Sequence, residues 1–259
     1  MLRVNELFLV HSMEPVVVTD RKEFYDWIHD NYQWVKSLDE IPNIRNIRFE
    51  NIVSLGDIFA YMNNLKDISA LASWDVSQVC YFDRMFMYCE KLESLHGLEN
   101  WNVSNSLTFS DMFYKCDSLK DISALSHWNV SNSMSFDRMF YCAKDLDVSV
   151  LSSWDVSNSL SFGYMLSWNP KNIEALSHWN ISKARVVKGM FGDNSKETLE
   201  RLCFETPKCV IYDDDCDERY GIAKNIIENR IRNEFEKRNK NKIENELLSN
   251  IAANIYYRF

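Results

Sequence analysis

The chain has 259 residues, 46% hydrophobic and 26% charged, with 6 glycines and 4 prolines. That balance is ordinary for a soluble chain with one sizeable core or two small ones, and it excludes a flexible low-complexity chain. The formal net charge of −9 repels phosphate, so no nucleic acid is expected as a partner, and no stretch reaches the roughly 18–20 apolar residues of a membrane span.

At the N-terminus two short apolar runs, Leu7 to Val10 and Val16 to Val18, are interrupted by His11 to Pro15 and preceded by Arg3 and Glu6. This is not the pattern of a signal peptide, so a cytoplasmic location is expected. Asp20 and Glu23 have the spacing of a capping box, opening a helix with Phe24, Trp27 and Ile28 on one face. Trp34 and Leu38 follow, and Pro42 marks the entry into the next segment. Residues 1–46 are read as an N-terminal helical cap.

An internal repeat begins near Ile47. Trp74, Trp101, Trp128, Trp154 and Trp179 are separated by 27, 27, 26 and 25 residues, and each is followed by Asp or Asn, then Val or Ile, then Ser. Eight residues after each tryptophan stand Phe82, Phe109, Phe136, Phe162 and Val187. A Met-Phe-like pair follows, as in Met85-Phe86 and Met139-Phe140. Leu71, Leu98, Leu125, Leu151 and Leu176 stand three residues before the tryptophans, and Cys89, Cys116 and Cys142 twelve before. A unit without the tryptophan is traced upstream through Phe49, Leu55, Ile58-Phe59 and Met62. One such unit cannot bury enough apolar surface to offset its ordering entropy, so the units must stack. Leu119 to Ser123 and its equivalents read as short parallel strands, and Phe136 to Phe140 as a helical turn. The expected fold is therefore α/β, a leucine-rich-repeat-like solenoid of about six 25–27-residue coils with helical N- and C-terminal caps. Residues 47–205 make up the solenoid and its closing turn, with Leu199 and Leu202 in a closing helix.

Residues 206–259 read as a charged helical C-terminal module. Ten Lys/Arg and ten Asp/Glu balance there, so the excess acid lies elsewhere. Ile222 and Ile226, with Ile227, Ile231 and Phe235, trace a narrow apolar face. Ile243, Leu247, Ile251 and Ile255 follow at i+4 spacing, and Asn239 to Asn241 are placed to separate two helices.

The run Leu119-x-x-Ile122-Ser123-x-Leu125-x-x-Trp128-Asn129-Val130-Ser131, followed by Met139-Phe140 and Cys142, resembles the BspA-like family of leucine-rich-repeat surface proteins. The resemblance covers about 145 of the 259 residues. It implies a solenoid that binds partners, often at a cell surface, with no catalytic residues shared across the family. A surface or secreted location is thus the alternative to the cytoplasmic one.

Sharper chemistry is outweighed at each candidate position. His96, His127 and His178 lie on neighbouring units, but no Cys or carboxylate completes a metal set at ligand spacing. Asp67, Asp121 and Asp147 form a partial carboxylate column that Ser94 and Asn172 interrupt, and turn capping explains all of these residue types. The Asn-x-Ser sites at Asn102, Asn129 and Asn180 exchange with Asp75 and Asp155, which suits an Asx-turn and not a glycan. Cys203, Cys209 and Cys216 beside Asp213, Asp214, Asp215 and Asp217 match no metal or redox motif. No catalytic, cofactor or metal residues are assigned.

The expected function is non-enzymatic binding of a protein partner along one solenoid face, as a host-interaction protein, regulator or inhibitor. The columns eight, five and one residues before tryptophan vary most in charge. They supply Lys66, Glu93, Lys120 and Lys171, then His96 and Glu174, then His127 and His178, as the expected contact residues. The alternatives are an assembly component that self-associates through its C-terminal helices, or a surface adhesin.

Overall fold

Two three-residue strands, β1 (Val16–Val18) and β2 (Ile47–Phe49), pair in parallel in the computed structural model. The model describes residues 15–166, 168–192, 195–201 and 217–239. Between these strands runs α1 (Arg21–Tyr32), capped by Asp20, whose carboxylate accepts the Glu23 N–H at 3.0 Å. Its buried Phe24, Trp27 and Ile28 close the first end of the core, with Phe24 6.1 Å from both Phe49 and Trp74. A short 3-10 turn at Leu38–Glu40 follows, held by a complete Ser37/Glu40 capping box.

From Asn51 to Gly192 the chain is built of turns, bends, short 3-10 helices and isolated bridges. Successive units meet in parallel register through one file of single-residue bridges, Ser54, Tyr81, Thr108, Ser135, Ser161 and Val186. A second, broken file pairs Ser37 with Asp67, Ser94 with Asp121, and Asp147 with Lys171. The apolar columns lie between the files. Phe59, Phe86, Phe113 and Phe140 stack at 5.5–5.6 Å, and Phe82, Phe109, Phe136 and Phe162 at 5.5–5.8 Å, all buried. Each repeat tryptophan donates its indole N–H to a carbonyl of the unit before it: Trp74 to Ile44, Trp101 to Leu71, Trp128 to Leu98, Trp154 to Leu125 and Trp179 to Leu151, at 2.7–3.1 Å.

The expected α/β leucine-rich-repeat-like solenoid is corrected by this architecture. Among the described residues there are three α-helices and one two-stranded sheet, and no repeated strand-and-helix unit. Where Leu119 to Ser123 was expected to form a strand, only Asp121 makes a bridge. Where Phe136 to Phe140 was expected to turn as a helix, Arg138 has φ 51. The reason is local. Each early unit turns twice through the left-handed region, at Asp57 and Tyr61, then Arg84 and Tyr88, then Asp111 and Lys115, then Arg138 and Cys142. A residue there can extend neither a strand nor a right-handed helix, so no regular strand forms, although backbone N–H groups still donate from unit to unit, as from Phe82 to Thr108, Arg84 to Ser110, Phe86 to Met112 and Tyr88 to Tyr114.

Helix α2 (Ser195–Arg201) follows the last unit and buries Leu199 against the main core. Helix α3 (Asp217–Asn239) lies along the first bridge file. Its Ala223, Ile227, Ile231 and Phe235 form a second apolar cluster with Cys80, Tyr81, Leu107, Leu160 and Val186. The twelve residue steps from Ala223 to Phe235 rise about 18 Å. Four unit steps from Tyr81 to Val186 cover about 19 Å at parallel-strand spacing. An i+4 stripe is therefore long enough to touch each unit in turn. The narrow apolar face seen in the sequence is turned onto the chain's own units, and Ile226 is left exposed. The stripe from Ile243 to Ile255 lies outside the described residues.

Replacing Trp128 by Phe removes a buried donor from the Leu98 carbonyl and leaves a small void. Urea unfolding is expected to register a loss of about 2–4 kcal/mol, whereas Ser126→Ala on the same unit stays within about 0.5 kcal/mol.

Candidate functional site

At the second left-handed turn of each unit, or one residue before it, the chain carries an aromatic side chain at the surface. Tyr61, Tyr88, Tyr114, Tyr141 and Trp168 form one file across five units. Neighbouring ring centroids are 5.1, 5.5, 5.1 and 6.3 Å apart. The two ends are the most exposed, Tyr61 at 44% and Trp168 at 42%, and the three central tyrosines are half-buried. Lys115 sits over the Tyr88 ring at 5.2 Å and Lys144 over Trp168 at 5.3 Å, so two of the five rings carry a cation. Burial and the neighbouring phenols push the Tyr114 hydroxyl up to about 12. It stays protonated near neutral pH, with a hydrogen to donate.

Tyr61 and Tyr88 hold φ values of 64 and 62, where a bulky side chain costs more than asparagine. At the equivalent turn of a later unit Asn169 meets the same backbone demand with φ 53. The turn alone therefore does not call for an aromatic residue. The sequence did carry a signal for this file, which the tryptophan-centred columns pass over: its members are 27, 26, 27 and 27 residues apart.

All eight residues expected to make partner contacts are exposed. The Lys66, Lys120 and Lys171 N–H groups donate to the Lys36, Glu93 and Leu146 carbonyls of preceding units, which sets Lys66, Glu93, Lys120 and Lys171 on the second bridge file. The other columns are engaged locally. His96 contacts Glu99 at 2.6 Å, His178 contacts the Ser152 carbonyl at 2.7 Å, and Glu174 pairs with Arg201 at 3.0 Å. His127 stands exposed beside Trp128.

A charged column lies between the first bridge file and the aromatic file. Arg84 forks onto Asp57 at 2.8 and 3.1 Å, and Arg138 onto Asp111 at 2.6 and 2.8 Å. Asp83 accepts the Thr108 hydroxyl at 2.8 Å, and Asp137 accepts the Gly163 N–H at 2.7 Å and the Ser161 hydroxyl. Burial pushes the Asp83 carboxyl up to about 6 against the pull of Arg84, and raises Asp137 as well. These carboxylates tie one unit to the next.

The remaining polar columns close turns. Asp67, Asp121 and Asp147 each accept the backbone N–H two residues on, at 2.9–3.0 Å, and Asn102, Asn129 and Asn180 do the same at 3.1–3.2 Å. Cys89 and Cys116 are fully buried, and their thiols donate to the Phe59 and Phe86 carbonyls. Among the described residues no group of three or more His, Cys, Asp or Glu could hold a metal ion. No helix there is long and apolar enough to cross a membrane. Cys203, Cys209, Cys216 and the acidic run from Asp213 to Asp215 lie outside the described residues.

A family model described as a Mycoplasma protein of unknown function, DUF285, matches residues 29–145 and 120–201. No curated protein and no solved structure matches the chain.

The raised Asp83 carboxyl sets a pH dependence of definite sign. Its folded value of about 6 lies above the ordinary carboxylate value of about 3.9. The folded chain therefore binds this proton more tightly than the unfolded chain, and stability falls as pH rises through about 4 to 6. Urea midpoints of wild type and Asp83→Asn are expected to diverge across that interval, with Asp83→Asn losing less stability on going from pH 4.5 to pH 7.

Proposed function

The chain belongs to the DUF285 family of Mycoplasma proteins of unknown function, and from that premise we propose that it is a non-enzymatic protein that binds a protein partner through its exposed aromatic file. The observation that carries this reading is the unbroken run Tyr61, Tyr88, Tyr114, Tyr141 and Trp168, with ring centroids 5.1–6.3 Å apart. Tyrosine and tryptophan present a large contact area that loses little conformational entropy on binding, and both are enriched where proteins meet. Two of these tyrosines occupy backbone positions that asparagine would fill at lower cost, which favours a role beyond turn formation.

Ring orientation varies along the file: Tyr61–Tyr88 and Tyr114–Tyr141 are stacked, Tyr88–Tyr114 is tilted, and Tyr141 meets Trp168 edge to face. Such a ridge of mixed ring orientations suits a broad protein contact better than a planar ligand, which would need a set of parallel free ring faces. Lys66, Glu93, Lys120 and Lys171 supply charge that would tune approach and register more than affinity. The locally engaged His96, His178 and Glu174 would add little.

Affinity capture from the protein's own cells, read by mass spectrometry, tests the reading. A stoichiometric partner is expected with the wild-type chain. The triple variant Tyr88→Ser, Tyr114→Ser, Tyr141→Ser should hold it at least tenfold more weakly, as loss of a hot-spot cluster would. Lys66→Glu with Lys120→Glu should change its salt dependence and association rate by a few-fold. Equal capture by wild type and the tyrosine variant would refute the assignment of the face.

A further inference from the structure

The contact made by α3 differs in kind from the packing between units. The side chains that receive it, Cys80, Tyr81, Leu107, Leu160 and Val186, form an apolar cluster separate from the main core. Lifting α3 would uncover that cluster without opening the columns of Trp, Phe, Met and Leu beneath. The stripe on α3 is one residue wide: Ala223, Ile227, Ile231 and Phe235, with Phe235 meeting the Tyr81 ring at 5.2 Å. Lys224, Glu228 and Arg232 flank it. Asp111, Asp137 and Arg138 act on these groups from the units below. Burial disfavours the charge on Lys224 and on Glu228, lowering one and raising the other, and Arg138 adds like-charge repulsion to Lys224 against the opposing pull of Asp137, Glu228 and Asp111. A helix so polar has little stability of its own and depends on its seat. Its length nonetheless matches the receiving file, unit for unit.

We propose that the face carrying Cys80, Leu107, Leu160 and Val186 is a helix-binding groove that α3 covers as a detachable strap. In place of α3 it receives a partner's amphipathic helix with apolar residues at i, i+4, i+8 and i+12. The first of these is small, to lie at the Val186 end, and the last is aromatic, to meet Tyr81. The better ligand carries an uncharged side chain where α3 has Lys224, which avoids burying a charge at that position. The groove and the aromatic file involve different residues, so this inference does not rest on the function proposed above.

Cys80 reports on the strap, because burial by α3 and the units pushes its thiol up to about 11 and hides it from reagents. The full chain is treated with N-ethylmaleimide, and labelling is mapped by peptide mass spectrometry. Cys116, in the main core, reports global opening. Cys80 of the wild type is expected to label at least tenfold faster than Cys116. Ile231→Asp should raise Cys80 labelling a further tenfold and leave Cys116 unchanged. Adding a synthetic peptide of residues 217–239 with Lys224→Gln should slow Cys80 labelling in that variant at least fivefold, and a scrambled peptide should not. Labelling of Cys80 and Cys116 at one rate in the wild type would overturn the strap. Failure of the peptide to protect Cys80, with tryptophan fluorescence unchanged, would overturn the groove. Should Ile231→Asp also expose Cys116, Ile231→Ala is judged by the same criteria.

Discussion

The indole N–H of each repeat tryptophan, donated to a carbonyl of the preceding unit, is the contact on which the rest of the structure depends. Five such bonds, from Trp74 to Trp179, lie buried beside the stacked aromatic columns. The carbonyls of Leu71, Leu98, Leu125 and Leu151 also accept the backbone N–H of their own unit's tryptophan, and the indole adds a second hydrogen bond from the next unit. The tryptophan therefore satisfies part of the backbone and fills the core in one residue. It also sets register, because its donor reaches only the carbonyl three residues before the previous unit's own tryptophan position. Once that register holds, Phe82 must meet Phe109, and Phe86 must meet Phe113.

Register then decides what the surface carries. Side chains at equivalent places in successive units are brought about 5 Å apart whether or not they help the core. For Asp57, Arg84, Asp111 and Arg138 this produces bidentate ion pairs between adjacent units. For Tyr61, Tyr88, Tyr114, Tyr141 and Trp168 it produces a ridge that faces solvent and carries the proposed binding role. On the bridge file it produces an apolar strip that the units do not cover, which α3 covers instead. Ridge and strip are consequences of one stacking rule acting on different columns.

The chain's own order already displayed much of this. The spacing of Trp, Leu, Met and Phe marks the residues that are buried, and the interchange of Asp with Asn before Val-Ser marks the Asx-turns found there. Asp20 was readable as a helix cap because capping is a contact between neighbours in sequence. The strand-and-helix unit was misjudged. Alternating apolar residues suit a strand, but nothing in the letters of Arg84 or Tyr88 announces φ near 60, since residues with a Cβ avoid that region unless their surroundings hold them there.

What the sequence by itself determined is therefore the period, the buried columns and the local caps, because each follows from residue type and spacing alone. The left-handed turns that keep the bridges short, the joining of Tyr61 to Trp168 into one surface, and the seating of α3 were decided by tertiary structure. Each depends on residues 25 or more positions apart being held against one another, and that proximity exists only once the units have stacked.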